Sequence, residues 1–113
     1  MTPASTYPTL VLLPGLDGTG KLFDEFVKSL GSSVDSLIVA YPKDRSLGYD
    51  ELESLVLGAL PRDRRFILLG ESFSGPLAIR IAARSPAGLV ALILCATFAK
   101  NPFPWLGWAR PLG

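Results

Sequence analysis

Ser72 stands inside Gly70-Glu71-Ser72-Phe73-Ser74-Gly75, between the apolar run Phe66 to Leu69 and a small-residue segment of helical periodicity. A strand that turns sharply into a helix lifts the side chain at the corner clear of the sheet, with the following backbone N–H groups facing it. Gly70 permits such a turn, and Ser74, Gly75 and Ala78 let the helix lie close to neighbouring strands. A hydroxyl so placed reads as a nucleophile. The plainer reading of a serine at a helix start is an N-cap. A cap accounts for the hydroxyl but not for its glycine frame, nor for a second glycine-rich loop two strands earlier.

That loop, Gly15-Leu16-Asp17-Gly18-Thr19-Gly20, follows the apolar run Thr9 to Leu13 and Pro14. It admits a rival chemistry, because Gly15, Gly20 and Lys21 match the GxxxxGK spacing of a phosphate-binding loop between a strand and a helix. Leu22, however, occupies the place where a Ser or Thr hydroxyl holds Mg²⁺, and the nearest acidic strand-end residue is Glu71, after Gly70. Asp17 reads first as a turn or capping residue, and Glu71 as a solvated or salt-bridged carboxylate. With Gly15 and Tyr41 they are also candidates to line a pocket, and Asp44 and Tyr49 cluster in sequence at the same strand-end edge. Arg80 and Arg84, four apart, read as a solvated helix stripe.

The chain has no histidine, so a Ser-His-acid triad cannot be completed within it. Its 113 residues suit one modest domain, 49% hydrophobic and 19% charged with a formal net charge of +1, which argues against disorder and against a nucleic-acid surface. Cys95 is a lone cysteine, so no internal disulfide forms, and its position at the end of an apolar run predicts a buried core thiol. MTPASTYP lacks the basic start and apolar core of a secretory signal, and no apolar run reaches the ~20 residues of a membrane span. The expected location is the cytoplasm.

In chain order, Thr9 to Leu13, Leu37 to Tyr41, Phe66 to Leu69 and Leu89 to Cys95 read as strands buried on both faces. Between them, helical spacing recurs at Leu22, Phe23, Phe26, Val27 and Leu30, then at Leu52, Leu55, Val56, Ala59 and Leu60, then from about Ser74 to Ser85. Gly31 stops the first of these helices, and Asp50 and Glu51 favour the positive end of the second. Strands alternating with helices predict an α/β fold, βαβαβαβ, with a parallel sheet of right-handed units. Residues 99–113, with three prolines and two tryptophans from Thr97 onward, break this rhythm.

Taken together, the glycine loop, the elbow and their setting resemble the N-terminal part of the α/β-hydrolase core, over roughly residues 9 to 98. The family's elbow is written GxSxG; here Ser74 stands at the second glycine and Gly75 comes one place later. The resemblance implies a three-layer sandwich with a mostly parallel sheet, forming a single partial domain over 1–113. It implies Ser72 as nucleophile, the backbone N–H groups of Leu16 and Phe73 as the oxyanion hole, and no metal or cofactor. The implied partner is a small-molecule acyl substrate, such as a carboxylic ester, attacked at its carbonyl. A carboxylate and a histidine come from later strands in complete members, so the expectation is a C-terminally truncated fragment, inactive alone. Residues 99–113 would begin a cap, and a sheet edge left bare would favour self-association. The alternatives are a P-loop-like nucleotide binder and a non-catalytic binding domain on the same scaffold.

Overall fold

A computed structural model describes residues 7–15, 20, 23–42 and 47–95. Along the chain run β1 (Thr9–Leu13), α1 (Asp24–Leu30), β2 (Ser36–Ile38), α2 (Tyr49–Ala59), β3 (Phe66–Glu71), a one-turn 3₁₀ segment (Ser72–Ser74), α3 (Gly75–Ala83) and β4 (Leu89–Cys95). The four strands form one sheet in the order β2-β1-β3-β4, every pairing parallel. This is the α/β architecture that the alternating pattern predicts.

The order dictates where the helices go. From β1 the chain steps outward to β2, then returns past β1 to β3 and on to β4. Right-handed crossovers taken in opposite directions place their helices on opposite faces. Accordingly Phe23, Val27 and Leu30 of the α1 segment pack with Leu10, Leu12 and Leu69. Leu52 and Val56 of α2 and Leu77, Ala78 and Ile81 of α3 pack with Val11, Leu13, Phe66 and Leu68 on the other face. The result is three layers, with β1 buried along its whole length.

Three expectations need correction. The ladder of β2 covers Ser36–Ile38 rather than running to Tyr41: among the described residues this strand pairs with β1 alone, over Leu10–Leu12, and beyond it Val39 and Tyr41 are buried with side chains of α2 and α3. β4 is not buried on both faces. It is the outer strand of the described sheet, and Val90, Leu92, Ile93 and Leu94 are 36–48% exposed. Cys95, at its end, is exposed as well.

Arg80 and Arg84 are more than a solvated stripe. Glu53 of α2 is buried, and both guanidinium groups of α3 meet its carboxylate, Arg80 Nε at 3.1 Å from one oxygen and Arg84 Nε on the other. Arg80 also pairs with Asp50. An isolated buried carboxylate is strongly unfavourable, and two cations at its mouth make this burial tolerable. The bridge fixes α2 against α3, and α3 in turn carries the residues that follow Ser72.

Candidate active site

The corner after β3 has the shape its glycines and serines predict. Ser72 takes φ +49°, a left-handed conformation in a residue that has a Cβ. Such a residue costs of order 1–3 kcal/mol and persists only where its surroundings force it. The other described non-glycine residue with positive φ, Ser85, follows the end of α3, where left-handed geometry is an ordinary way to close a helix. Ser72 has no such excuse.

What holds the corner is close packing below it. A Cβ at Gly70 would lie 2.8 Å from both the Ala78 Cβ and the Ser74 carbonyl oxygen, so β3 and the start of α3 approach to a distance that excludes any side chain. Above, the Tyr49 hydroxyl donates to the Phe73 carbonyl at 2.9 Å. Its ring stacks on that of Phe73, centroids 5.0 Å apart. The Gly75 N–H returns to the Ser72 carbonyl. Ser72 is therefore the first residue of the turn rather than a cap of α3.

Gly15, the first residue of the glycine loop, lies beside this corner. Leu13 pairs with Gly70 in the ladder, so the residues that leave the two strands sit side by side. A Cβ placed on Gly15 would be 3.6 Å from the Ser72 Cβ and 3.8 Å from a Glu71 carboxylate oxygen. This point lies between the C-terminal ends of β1 and β3, where the chain's direction across the sheet reverses. Open α/β sheets bind ligands in that crevice.

Ser74 is the residue that makes the junction tight. It is 0% exposed and stands at the N-cap of α3, yet it makes no capping bond. Its hydroxyl donates instead to the Pro14 carbonyl, at the start of the glycine loop. The Tyr41 hydroxyl lies 2.5 Å from the same Ser74 oxygen. Because the one Ser74 proton is engaged at Pro14, Tyr41 is the donor in that second bond. The Tyr41 phenol is buried, and burial pushes it up to about 12 against the opposing pull of the Ser74 bond, so it is protonated at neutral pH.

A pH dependence follows from the Tyr41 shift. The folded phenol holds its proton to about pH 12, whereas an unfolded one releases it near its ordinary 10. Stability linked to Tyr41 is then fully present below pH 10 and is lost as pH rises toward 12, by about 2–3 kcal/mol. Chemical denaturation followed between pH 9 and 12 should show this decline, and Tyr41→Phe should flatten it. An equally steep decline in Tyr41→Phe contradicts the assignment.

The predicted site residues thus divide clearly. Ser72, Phe73, Glu71 and Gly15 come together at one strand-end crevice, with Tyr41 buried directly behind it through Ser74. Leu16 and Asp17, like Asp44 and the tail 96–113, lie outside the described residues. On the α1 side of the same edge, Glu71 shares an open cleft of about 230 Å³ with Phe23, Phe26, Leu69 and Cys95. Among the described residues no group of three or more His, Cys, Asp or Glu side chains could hold a metal ion, and no helix is long and apolar enough to cross a membrane.

The phosphate-loop rival fits this geometry poorly. The first turn of α1 holds Asp24 and Glu25. Carboxylates there occupy the positive helix end that such a loop offers to phosphate.

No family model matches the chain. Among characterised proteins it is similar to phytyl ester synthase 1, chloroplastic, of Arabidopsis thaliana, 30% identical over 109 residues that take in 88% of this chain and 16% of that protein. It is also similar to phytyl ester synthase 2, chloroplastic, of the same plant, 32% identical over 106 residues, 87% of this chain and 15% of that protein. The chain therefore spans about a sixth of the length of these relatives. Over most of its own length it has the likeness, at low identity, of enzymes named for making esters.

Proposed function

We propose that these residues form the nucleophile half of a serine-dependent acyl-transfer site of the α/β-hydrolase type, acting on carboxylic esters or related acyl compounds. The observation that supports this most is Ser72, held left-handed at the topological switch point with Gly15 beside it, one side chain's width away. Similarity to two ester synthases favours the same chemistry. Ser72 Oγ attacks the acyl carbonyl, the N–H groups of Leu16 and Phe73 receive the oxyanion, and the C–O bond to the leaving alcohol breaks as that alcohol takes a proton. Water, or a second alcohol, then attacks the Ser72 ester and releases the acyl group as acid or as a new ester.

A histidine to carry the proton would come from outside these residues, since the chain has none. We place it, with its acidic partner, in a longer polypeptide of which this chain is the N-terminal part of the catalytic core. The exposed apolar strand β4 suits that arrangement, being the edge on which further strands add. In isolation the chain should associate through this strand. Light scattering should show oligomers for the 113-residue chain and a shift to monomer in Ile93→Lys, whereas a monomeric unmodified chain refutes that association.

The activity test supplies the complete polypeptide with a p-nitrophenyl acyl ester, with and without a long-chain alcohol, and follows free acid and new ester by chromatography. Release of acyl product that is lost on prior treatment with a fluorophosphonate supports the proposal. Absence of turnover across short and long acyl esters opposes it.

A further inference from the structure

We infer that Ser74 and Tyr41 are positioning residues for the oxyanion loop, joined by a hydrogen-bond relay that sets the peptide plane from which the loop departs. The inference rests on the serine acyl-transfer reading and adds to it a role for the residue that departs from the GxSxG pattern. A glycine at position 74 would satisfy that pattern, but it could make neither of the bonds seen here.

The relay runs in one direction. Tyr41 at the end of the β2 segment donates to Ser74, and Ser74 donates to the carbonyl of Pro14. All three residues are buried, so no bulk water competes for these groups. The Pro14 carbonyl belongs to the same rigid peptide unit as the Gly15 N–H. Anchoring one side of that plane fixes the other at Gly15, where an added Cβ would stand 3.6 Å from the Ser72 Cβ, and the next peptide carries the Leu16 N–H. Ser74 thus ties the turn that bears the nucleophile to the Pro14–Gly15 peptide, the first of the glycine loop. Tyr41 brings the edge of the sheet into the same junction.

An oxyanion hole works because its donors are already aimed when charge develops. A misplacement of even 1 Å can cost about a hundredfold in rate. Loss of an anchor, as opposed to loss of a donor, should therefore lower the chemical step while leaving ground-state binding in place.

The test measures p-nitrophenyl butyrate hydrolysis by the complete polypeptide. Sites are counted by exhaustive fluorophosphonate titration, so that kcat is expressed per reactive site. Ser74→Ala and Ser74→Gly are expected to lower kcat per site by roughly ten- to a hundredfold with KM within about twofold. Tyr41→Phe, which keeps the Pro14 bond, should lower it by less. A purely structural role would reduce the number of reactive sites and leave kcat per site unchanged, and that result overturns the inference. Where Ser74→Ala does not fold, Tyr41→Phe decides: a lowered kcat per site supports the relay, and an unchanged one overturns it. Ser72→Ala run alongside separates the two ideas. If it still turns over, the acyl-transfer reading itself falls; if it is inactive while Ser74→Ala keeps the full kcat, only the positioning role falls.

Discussion

On the proposed function, Ser72→Ala is expected to lower ester turnover by the proposed longer polypeptide by roughly 10⁵- to 10⁶-fold, the scale seen when a serine nucleophile is removed from a site whose other parts remain. The reason is geometric. Ser72 is the residue at which β3 becomes a turn, its φ of +49° aims the side chain away from the strand direction, and Gly15 leaves room beside it for about one methyl group. Alanine tolerates the same backbone about as well as serine, so the fold should survive and the loss should be chemical. The check is a melting temperature near that of the parent together with loss of turnover. Survival of turnover within about tenfold of the parent would assign the attack to another group.

Gly70→Ala should damage the part of the scaffold that carries Ser72. Its added methyl would stand 2.8 Å from the Ala78 Cβ and from the Ser74 carbonyl oxygen, the latter a backbone atom that cannot swing aside. Overpacking of this kind costs about 1–3 kcal/mol, or a fall of roughly 5–15 °C in melting temperature for a domain of this size. The only relief is to push α3 away from β3, and α3 begins immediately after the Ser72–Ser74 turn. Turnover should therefore fall along with stability. Ala78→Gly in the same chain should recover part of the loss by removing one of the two obstacles. Thermal unfolding of the single and double variants checks this, and a neutral Gly70→Ala contradicts the close approach.

Much of this architecture was readable from sequence because its signals are local. Unbroken apolar runs bounded by glycine and proline mark β1 and β3, and their burial needs no knowledge of the rest of the chain. The turn from β3 into α3 is likewise signalled by Gly70, Ser72 and Gly75 over a few residues. β4 escaped the same logic. LVALILC reads as a strand covered on both faces, and whether it is covered depends on what lies beside it in the sheet, which no local pattern records. Cys95 shares that misreading for the same reason.

The polar interior was hidden for a different reason. Glu53 sits between Leu52 and Leu55 on α2, and its burial becomes reasonable only once Arg80 and Arg84, some thirty residues on, are brought to it. The helical spacing of Asp50 and Glu53, three apart, and of Arg80 and Arg84, four apart, is the available signal. Ser74 reads in sequence as a flaw in a motif. In the folded chain its hydroxyl reaches Pro14, sixty residues earlier, and Tyr41, and it is the group that joins loop to elbow.

The central claim concerns one hydroxyl at the end of β3, and peptide mass spectrometry of the fluorophosphonate-treated complete polypeptide addresses it most directly. The account predicts a single covalent adduct on Ser72, absent when the protein is unfolded before treatment. An adduct on any other residue, or ester turnover with Ser72 left unmodified, would contradict it.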